Sequence, residues 1–243
     1  MLKIVGIIPA RYASVRFPGK PLALLAGKPM ILHVLGAARA ARRLDRVLVA
    51  TEDERIAAAV RDAGGEAILT SPQASSGTDR LAEAAKSVSA DVYVNIQGDE
   101  PMMSPKNVDR AVETLLAAPG RDIATLAISM PASEAQDPNA VKVAVARDGR
   151  ALYFSRSAIP YFRSGEPSYR KHLGLYVYRA ATLRAIAALP PSPLERAESL
   201  EQLRWLEAGF PIWVGEALTD SIGVDTPEDL SRAESLFRKE AVS

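Results

Sequence analysis

Apolar positions along the first half of the chain fall alternately in short uninterrupted runs and in helical stripes. Ile4-Val5-Gly6-Ile7-Ile8 is a run suited to a strand covered on both faces, and it is too short to span a membrane. Met30, Ile31, Val34, Leu35 and Ala38 then make one stripe of a helix introduced by Gly27-Lys28-Pro29. Residues 46–50 predict the next strand, 53–63 the next helix, closed by Gly64-Gly65, and 66–69 a third strand. An alanine-rich helix follows at 81–87 and a strand at 91–96. Ser104-Pro105 then starts a helix with Val108, Val112, Leu115 and Leu116 inward, and 123–130 is strand-like. This β-α-β-α-β opening predicts a Rossmann-like α/β fold, a three-layer arrangement in which helices flank a mostly parallel sheet with right-handed crossovers.

The alternation breaks near residue 131. Residues 131–139 read as loop, and 141–145 and 151–154 as the arms of a β-hairpin turning at Arg147-Asp148-Gly149-Arg150. A hairpin at this point implies a β-rich subdomain inserted at about 131–190 into an otherwise single domain, 1–243, where it would act as lid, substrate platform or dimer contact. On spacing alone, Tyr176 and Tyr178 read as half-buried strand aromatics, Tyr176 alternating with core residues, and His172 as a polar residue where that strand begins. Ser192-Pro193-Leu194-Glu195 opens one helix with Leu200, Leu203 and Leu206 inward and Gly209 at its end, and Glu201 and Gln202 beside that stripe read as facing water. A late strand at 211–215 precedes a last helix, which Thr226, Pro227 and Asp229 start in capping-box fashion. His33 falls off the first helix stripe and reads as a surface or subunit contact.

Composition narrows the class without changing this picture. The 243 residues carry a formal net charge of +1, 48% hydrophobic and 24% charged residues, and no cysteine. That balance describes an ordinary globule, gives no bulk charge for nucleic acid, and excludes disulfides and thiol chemistry. No apolar run approaches membrane-spanning length and no basic leader precedes the first strand, so the expectation is a cytoplasmic protein without membrane association.

The chemistry gathers where strands end. In a doubly wound sheet, ligands collect at the carboxyl ends of the strands, and the first strand runs into Pro9-Ala10-Arg11-Tyr12-Ala13-Ser14-Val15-Arg16-Phe17-Pro18-Gly19-Lys20-Pro21-Leu22. Arg11 and Arg16 offer planar forks for phosphate oxygens, Lys20 a point charge and Gly19 close backbone approach, while the prolines stiffen the loop. The natural ligand is a triphosphate, although neither a Walker loop nor G-x-G-x-x-G is present. The strand at 91–96 ends in Gln97-Gly98-Asp99-Glu100-Pro101, where Asp99 facing a triphosphate would suit Mg²⁺, with Glu100 the lesser member. Ser75-Ser76-Gly77-Thr78-Asp79-Arg80 reads first as a helix cap. Asp225, just before the last helix, reads first as a residue favouring the helix dipole.

The loop R-Y-A-S-V-R-F-P-G-K-P-L resembles the signature of the cytidylyltransferases that activate 3-deoxy-manno-octulosonate (Kdo), and more loosely of sugar nucleotidyltransferases. Five further blocks in the same order strengthen the resemblance: S-G-T-D-R-L-A-E, Q-G-D-E-P, L-Y-F-S-R-x-x-I-P with H-L-G-x-Y-x-Y, S-P-L-E-x-x-E-S-L-E-Q-L-R, and G-V-D-T-P-E-D-L. Ala74 departs from relatives that carry histidine there.

The resemblance implies a Mg²⁺-dependent enzyme that joins CTP and Kdo into CMP-Kdo and pyrophosphate for lipopolysaccharide biosynthesis, acting as a homodimer. It implies catalytic roles for Arg11, Arg16, Lys20, Asp99 and Asp225, with Asp99 and Asp225 on the metal. Nucleotide contacts would come from Ala10, Arg11, Ser14, Arg16 and Lys20 on the phosphate side, and from Ser76, Gly77, Thr78, Arg80 and Gln97 on the base side. Kdo contacts would come from Gln97, Arg156, Arg163, His172, Tyr176, Glu201 and Gln202. Two alternatives stay open: another acidic sugar, sialate-like or 8-amino-Kdo, and a nucleotide-binding regulator without catalysis.

Overall fold

The computed structural model describes residues 1–13, 16–74 and 76–240. The chain forms two compact units, one of Met1–Asp109 with Ser221–Ser243 and one of Arg110–Asp220. Ser14, expected at the phosphate side, lies outside the described residues.

In the first unit β1 (Ile4–Ala10) is followed by a two-residue ribbon, β2 (Leu24–Leu25) and β3 (Lys28–Pro29), then α1 (Met30–Arg39), β4 (Arg46–Thr51), α2 (Glu54–Asp62), β5 (Ala67–Leu69), α3 (Gly77–Ser87) and β6 (Val92–Asn95). Strands β6, β1, β4 and β5 lie side by side in that order, every pair parallel. The apolar runs that predict β1, β4 and β6 are buried on both faces, as expected of parallel strands under helices. Helices α1 and α2 pack on β4 and α3 on β1. All five residues of the α1 stripe are buried.

Pro29 stands directly before the first turn of α1, as expected, and Lys28-Pro29 also pairs with Leu24-Leu25. His33 is no free surface group: its Nε2 lies 2.8 Å from the Leu25 carbonyl oxygen and its ring meets Phe237 edge-on at 4.9 Å.

Helix α4 (Pro105–Leu116) follows β6. The second unit then contains β7 (Ile123–Met130), β8 (Lys142–Val145), β9 (Ala151–Ser155), β10 (Tyr169–Arg179), α5 (Ala180–Ala187), α6 (Pro193–Glu198), α7 (Gln202–Glu207) and β11 (Ile212–Glu216). Strand β7 pairs parallel with β11 and antiparallel with β10, and β8 and β9 form the hairpin expected about Asp148-Gly149.

The single helix expected from Ser192 breaks into α6 and α7 at Ser199, whose φ of 51° is left-handed. The cause is tertiary. The Arg156 guanidinium donates to the carbonyl oxygens of Glu198 (2.7 Å) and Ser199 (3.3 Å), acceptors that a continuing helix would use for itself. Nor are Tyr176 and Tyr178 half-buried: the register with β7 shifts between Leu173 and Tyr176, and Leu175, Tyr176, Val177 and Tyr178 are all buried.

Helix α8 (Pro227–Glu240) belongs to the first unit, where Ala233 and Val224 join Leu25 and Met30 in a small core with Phe17, Leu230 and Phe237 against it. Among the described residues no helix is long and apolar enough to cross a membrane.

Candidate active site

Because β1 and β6 are parallel neighbours, the chain after Ala10 and the chain after Asn95 leave from the same rim of the first unit. Gly98 brings the second turn against the first strand: a Cβ added there would lie 2.6 Å from the Pro9 carbonyl oxygen. The Val224 N–H donates to the Asp99 carbonyl oxygen at 2.8 Å, which joins the late acidic segment to this turn through main chain alone. Asp229 caps α8 by exchanging hydrogen bonds with Thr226, and it also accepts from the Asp225 N–H at 3.1 Å, which orients the backbone of Asp225.

The side chains converge as a result. The Lys20 ammonium, almost fully buried, donates to Asp99 Oδ2 at 2.8 Å and to Asp225 Oδ1 at 3.0 Å. Arg16 reaches the other oxygen of Asp225 at 2.9 Å. Burial pushes the Asp225 carboxyl up, but the hydrogen bond and charge of Lys20, helped by Arg16, outweigh it and hold the group below the usual carboxylate range. Gly19, at φ 72°, turns the chain into Lys20 and closes the loop by donating its N–H to the Tyr12 carbonyl oxygen at 2.9 Å.

Around this cluster lies a cavity of about 290 Å³. Arg11, Arg16, Lys20, Asp99 and Asp225 line it beside Pro9, Ala10 and Pro21, with Ala74, Ser76, Gly77, Arg80, Gln97 and Gly98 completing the wall. Ser76 serves as the cap read from sequence, its hydroxyl accepting from the Asp79 N–H while Asp79 accepts from the Ser76 N–H. Thr78 is buried and stands outside this lining. The Arg80 guanidinium, expected to face nucleotide, is largely occupied: it donates to Thr70 Oγ1 at 2.5 Å and pairs with Glu52 at 3.0 Å. Glu52 was not singled out by sequence. Its position directly after β4, at the carboxyl end of a parallel strand, is the signal that marked Arg11 and Asp99.

The residues expected on the sugar side lie in the second unit. Arg156 is a clamp in this structure: besides the two carbonyls at the α6–α7 break, it donates to the Pro138 carbonyl oxygen at 2.9 Å. Glu198 accepts from Ser155 Oγ at 2.6 Å and the Arg156 N–H at 2.9 Å, and the fully buried Lys142 donates to the carbonyl oxygens of Asp137 and Arg156. Neither Lys142 nor Glu198 was marked from sequence, and a lysine in an apolar alternation was the available signal for the first. Burial lowers the Lys142 ammonium from its ordinary value. Arg163 stands exposed between β9 and β10. Gln202 is buried, against the expectation that it faces water, and Glu201 pairs with Arg204 at 2.8 Å.

His172 and Tyr176 sit in an aromatic group with Phe154, Tyr178 and Trp205. His172 Nε2 lies 3.0 Å from Thr125 Oγ1, and burial lowers the ring from 6.5 to about 3, so it is neutral at physiological pH. The unfolded chain therefore binds the proton more tightly than the folded one. The cost to stability is absent above about pH 6.5 and grows as pH falls toward 3. Relative to a His172→Asn variant, the wild type should lose about 2 kcal/mol more between pH 7.5 and pH 5. Urea unfolding at the two pH values measures this difference, and parallel slopes would contradict it.

Asp99 and Asp225 fit a hard divalent ion, since two carboxylates already converge on one cationic centre, the Lys20 ammonium. Among the described residues no group of three or more His, Cys, Asp or Glu that could hold a metal ion gathers.

Comparison with known proteins identifies the family. The family profile described as Cytidylyltransferase matches residues 5–218. The 3-deoxy-manno-octulosonate cytidylyltransferase of Syntrophobacter fumaroxidans is 51% identical over 250 residues, 99% of either chain. Its namesake from Anaeromyxobacter sp. (strain Fw109-5) is 52% identical over 243 residues, 98% of either chain. A solved CMP:2-keto-3-deoxy-manno-octonic acid synthetase complexed with CTP superposes with a TM-score of 0.94 at 46% identity, covering 98% of this chain and 99% of that one. A nucleotidyl transferase from Methanothermobacter, at 17% identity and a TM-score of 0.66, shares the fold over 98% of this chain and 99% of its own. By these similarities, over nearly its whole length, the chain belongs to the cytidylyltransferase family and within it to the 3-deoxy-manno-octulosonate cytidylyltransferases.

Proposed function

We propose that the protein transfers CMP from CTP to the anomeric hydroxyl of 3-deoxy-D-manno-octulosonate, giving CMP-Kdo and pyrophosphate for lipopolysaccharide biosynthesis. The observation that carries the reading is the meeting of Lys20, Asp99 and Asp225 in a cavity also lined by Arg11 and Arg16. Relatives of the same name at about half identity support the choice of sugar.

In this reading Arg11, Arg16 and Lys20 bind the phosphate chain and offset the charge that grows on departing pyrophosphate. Gly77 and Gln97 lie at the wall where a base would sit, and Gly77 packs beside Pro9 and Gln97. The sugar hydroxyl attacks the α-phosphorus in line: a new O–P bond forms, the bond to the β-phosphate oxygen breaks, and the hydroxyl proton passes to solvent. Asp99 and Asp225 would hold Mg²⁺, which when bound lowers the pKa of a coordinated hydroxyl and neutralises phosphate charge. In the second unit, Arg163, His172, Tyr176, Glu201 and Gln202 are proposed to receive the acidic sugar. Arg156 is proposed to shape that region by holding the α6–α7 break.

The proposal extends to a cytoplasmic homodimer. The inserted hairpin, on which Leu152 stands exposed, is the contact proposed for a second copy. Pyrophosphate release from CTP, Kdo and Mg²⁺ tests the activity. Turnover with CTP well above that with UTP or ATP is the expected result, and no release with any pair of nucleotide and acidic sugar ends the reading. Light scattering tests the dimer.

A further inference from the structure

Glu52 lies one residue beyond β4, whose last residue pairs with the last residue of β1, so its carboxylate stands behind the rim that carries Arg11. It is not part of the cavity wall, yet its two oxygens serve two parts of that wall. Oε1 accepts the Tyr12 N–H at 2.8 Å. Oε2 lies 3.0 Å from Arg80 Nη2, with the Arg80 side chain only 4% and the Glu52 side chain 15% exposed.

Each partner anchors a different element. Tyr12 begins the phosphate loop, its carbonyl closes that loop on the Gly19 N–H, and its ring lies between Gly19 and the Arg55 guanidinium, 3.5 Å from the ring centre. Arg80 sits in the first turn of α3, three residues after Gly77. One carboxylate thus binds the loop that would hold phosphates and the helix whose start would meet the base. A plain core ion pair would contribute stability and nothing more. This pair instead spans the two segments between which a nucleotide must fit.

We propose that Glu52 is a positioning residue that sets the register between the phosphate loop and helix α3, so that both ends of a nucleoside triphosphate are bound at once. The inference rests on the function proposed above and deepens it. Without Glu52 the loop and helix would still exist, but a ligand reaching across them would find one end misplaced, and displacements of about 1 Å cost roughly a hundredfold in such sites.

The test is calorimetric binding of CTP with Mg²⁺, together with steady-state kinetics, for wild type, Glu52→Ala and Glu52→Gln. For Glu52→Ala, Kd and KM for CTP should rise about tenfold or more while KM for Kdo stays unchanged. Glu52→Gln, which keeps an acceptor for the Tyr12 N–H, should fall between. If Glu52→Ala is too unstable to purify, Glu52→Gln alone, which keeps an acceptor for the Tyr12 N–H but loses the charge facing Arg80, should still show a raised Kd. Variants that unfold at lower temperature but bind CTP as tightly as wild type would overturn the inference and leave the proposed activity standing. A wild type that binds no CTP would remove the activity itself.

Discussion

Replacing Asp225 by asparagine is expected to lower kcat by about 10²–10³-fold while leaving the unfolding transition nearly in place. The side chain keeps its shape, but the site loses one of the two carboxylates that meet at Lys20. Lys20 retains Asp99 at 2.8 Å, so no buried cation is abandoned. Asp225 is about half exposed, which limits what its pairs with Arg16 and Lys20 contribute to folding. The Mg²⁺ concentration for half-maximal rate should rise with the loss of kcat, because the same carboxylate is proposed to hold the ion. A variant with wild-type kcat, or one whose defect is matched by a large fall in stability, would count against that role.

The second large effect is expected at Gly98, for a steric reason. Alanine there would place its Cβ 2.6 Å from the Pro9 carbonyl oxygen and 3.5 Å from Ile8 Cγ2. The nearer obstacle is backbone of β1, held in register with β4 through Pro9 and Ala50, so the strand cannot yield easily. The turn must move instead, taking Asp99 with it and straining the hydrogen bond from the Val224 N–H. Gly98→Ala should therefore lose about 1–3 kcal/mol of stability and about 10²-fold in kcat/KM. Gly77→Ala is the contrast, since its Cβ would meet only ordinary contacts at 3.6 and 3.9 Å, and its stability should match wild type. Thermal unfolding and initial rates on the two variants separate backbone crowding from a general intolerance of alanine.

Much of the first unit could be read from sequence because its determinants are local. Runs buried on both faces marked β1, β4 and β6, and a 3.6-residue stripe marked α1; in the second unit Asp148-Gly149 marked the hairpin of β8 and β9. The rule that ligands gather at strand ends pointed to Arg11, Lys20 and Asp99 without any resemblance. Asp225 came from the resemblance alone, because a carboxylate before a helix looks like an ordinary cap neighbour.

What stayed hidden depended on distant partners. The break at Ser199 follows from Arg156, over forty residues earlier in the chain, taking the carbonyls of Glu198 and Ser199. The three carbonyls to which Arg156 donates were likewise invisible in the local sequence. Nothing near Arg80 in sequence announces its partners Glu52 and Thr70. Leu175, Tyr176, Val177 and Tyr178 are all buried, a run that period-two alternation does not foresee.

The first unit is also assembled from the two ends of the chain, and Asp225 comes after all of Arg110–Asp220. During translation, Arg11, Lys20 and Asp99 leave the ribosome long before their last partner does. A nascent or prematurely terminated polypeptide therefore carries the cationic cradle without the second carboxylate. With the role proposed for Asp225, synthesis itself would withhold competence until the closing segment has emerged and docked.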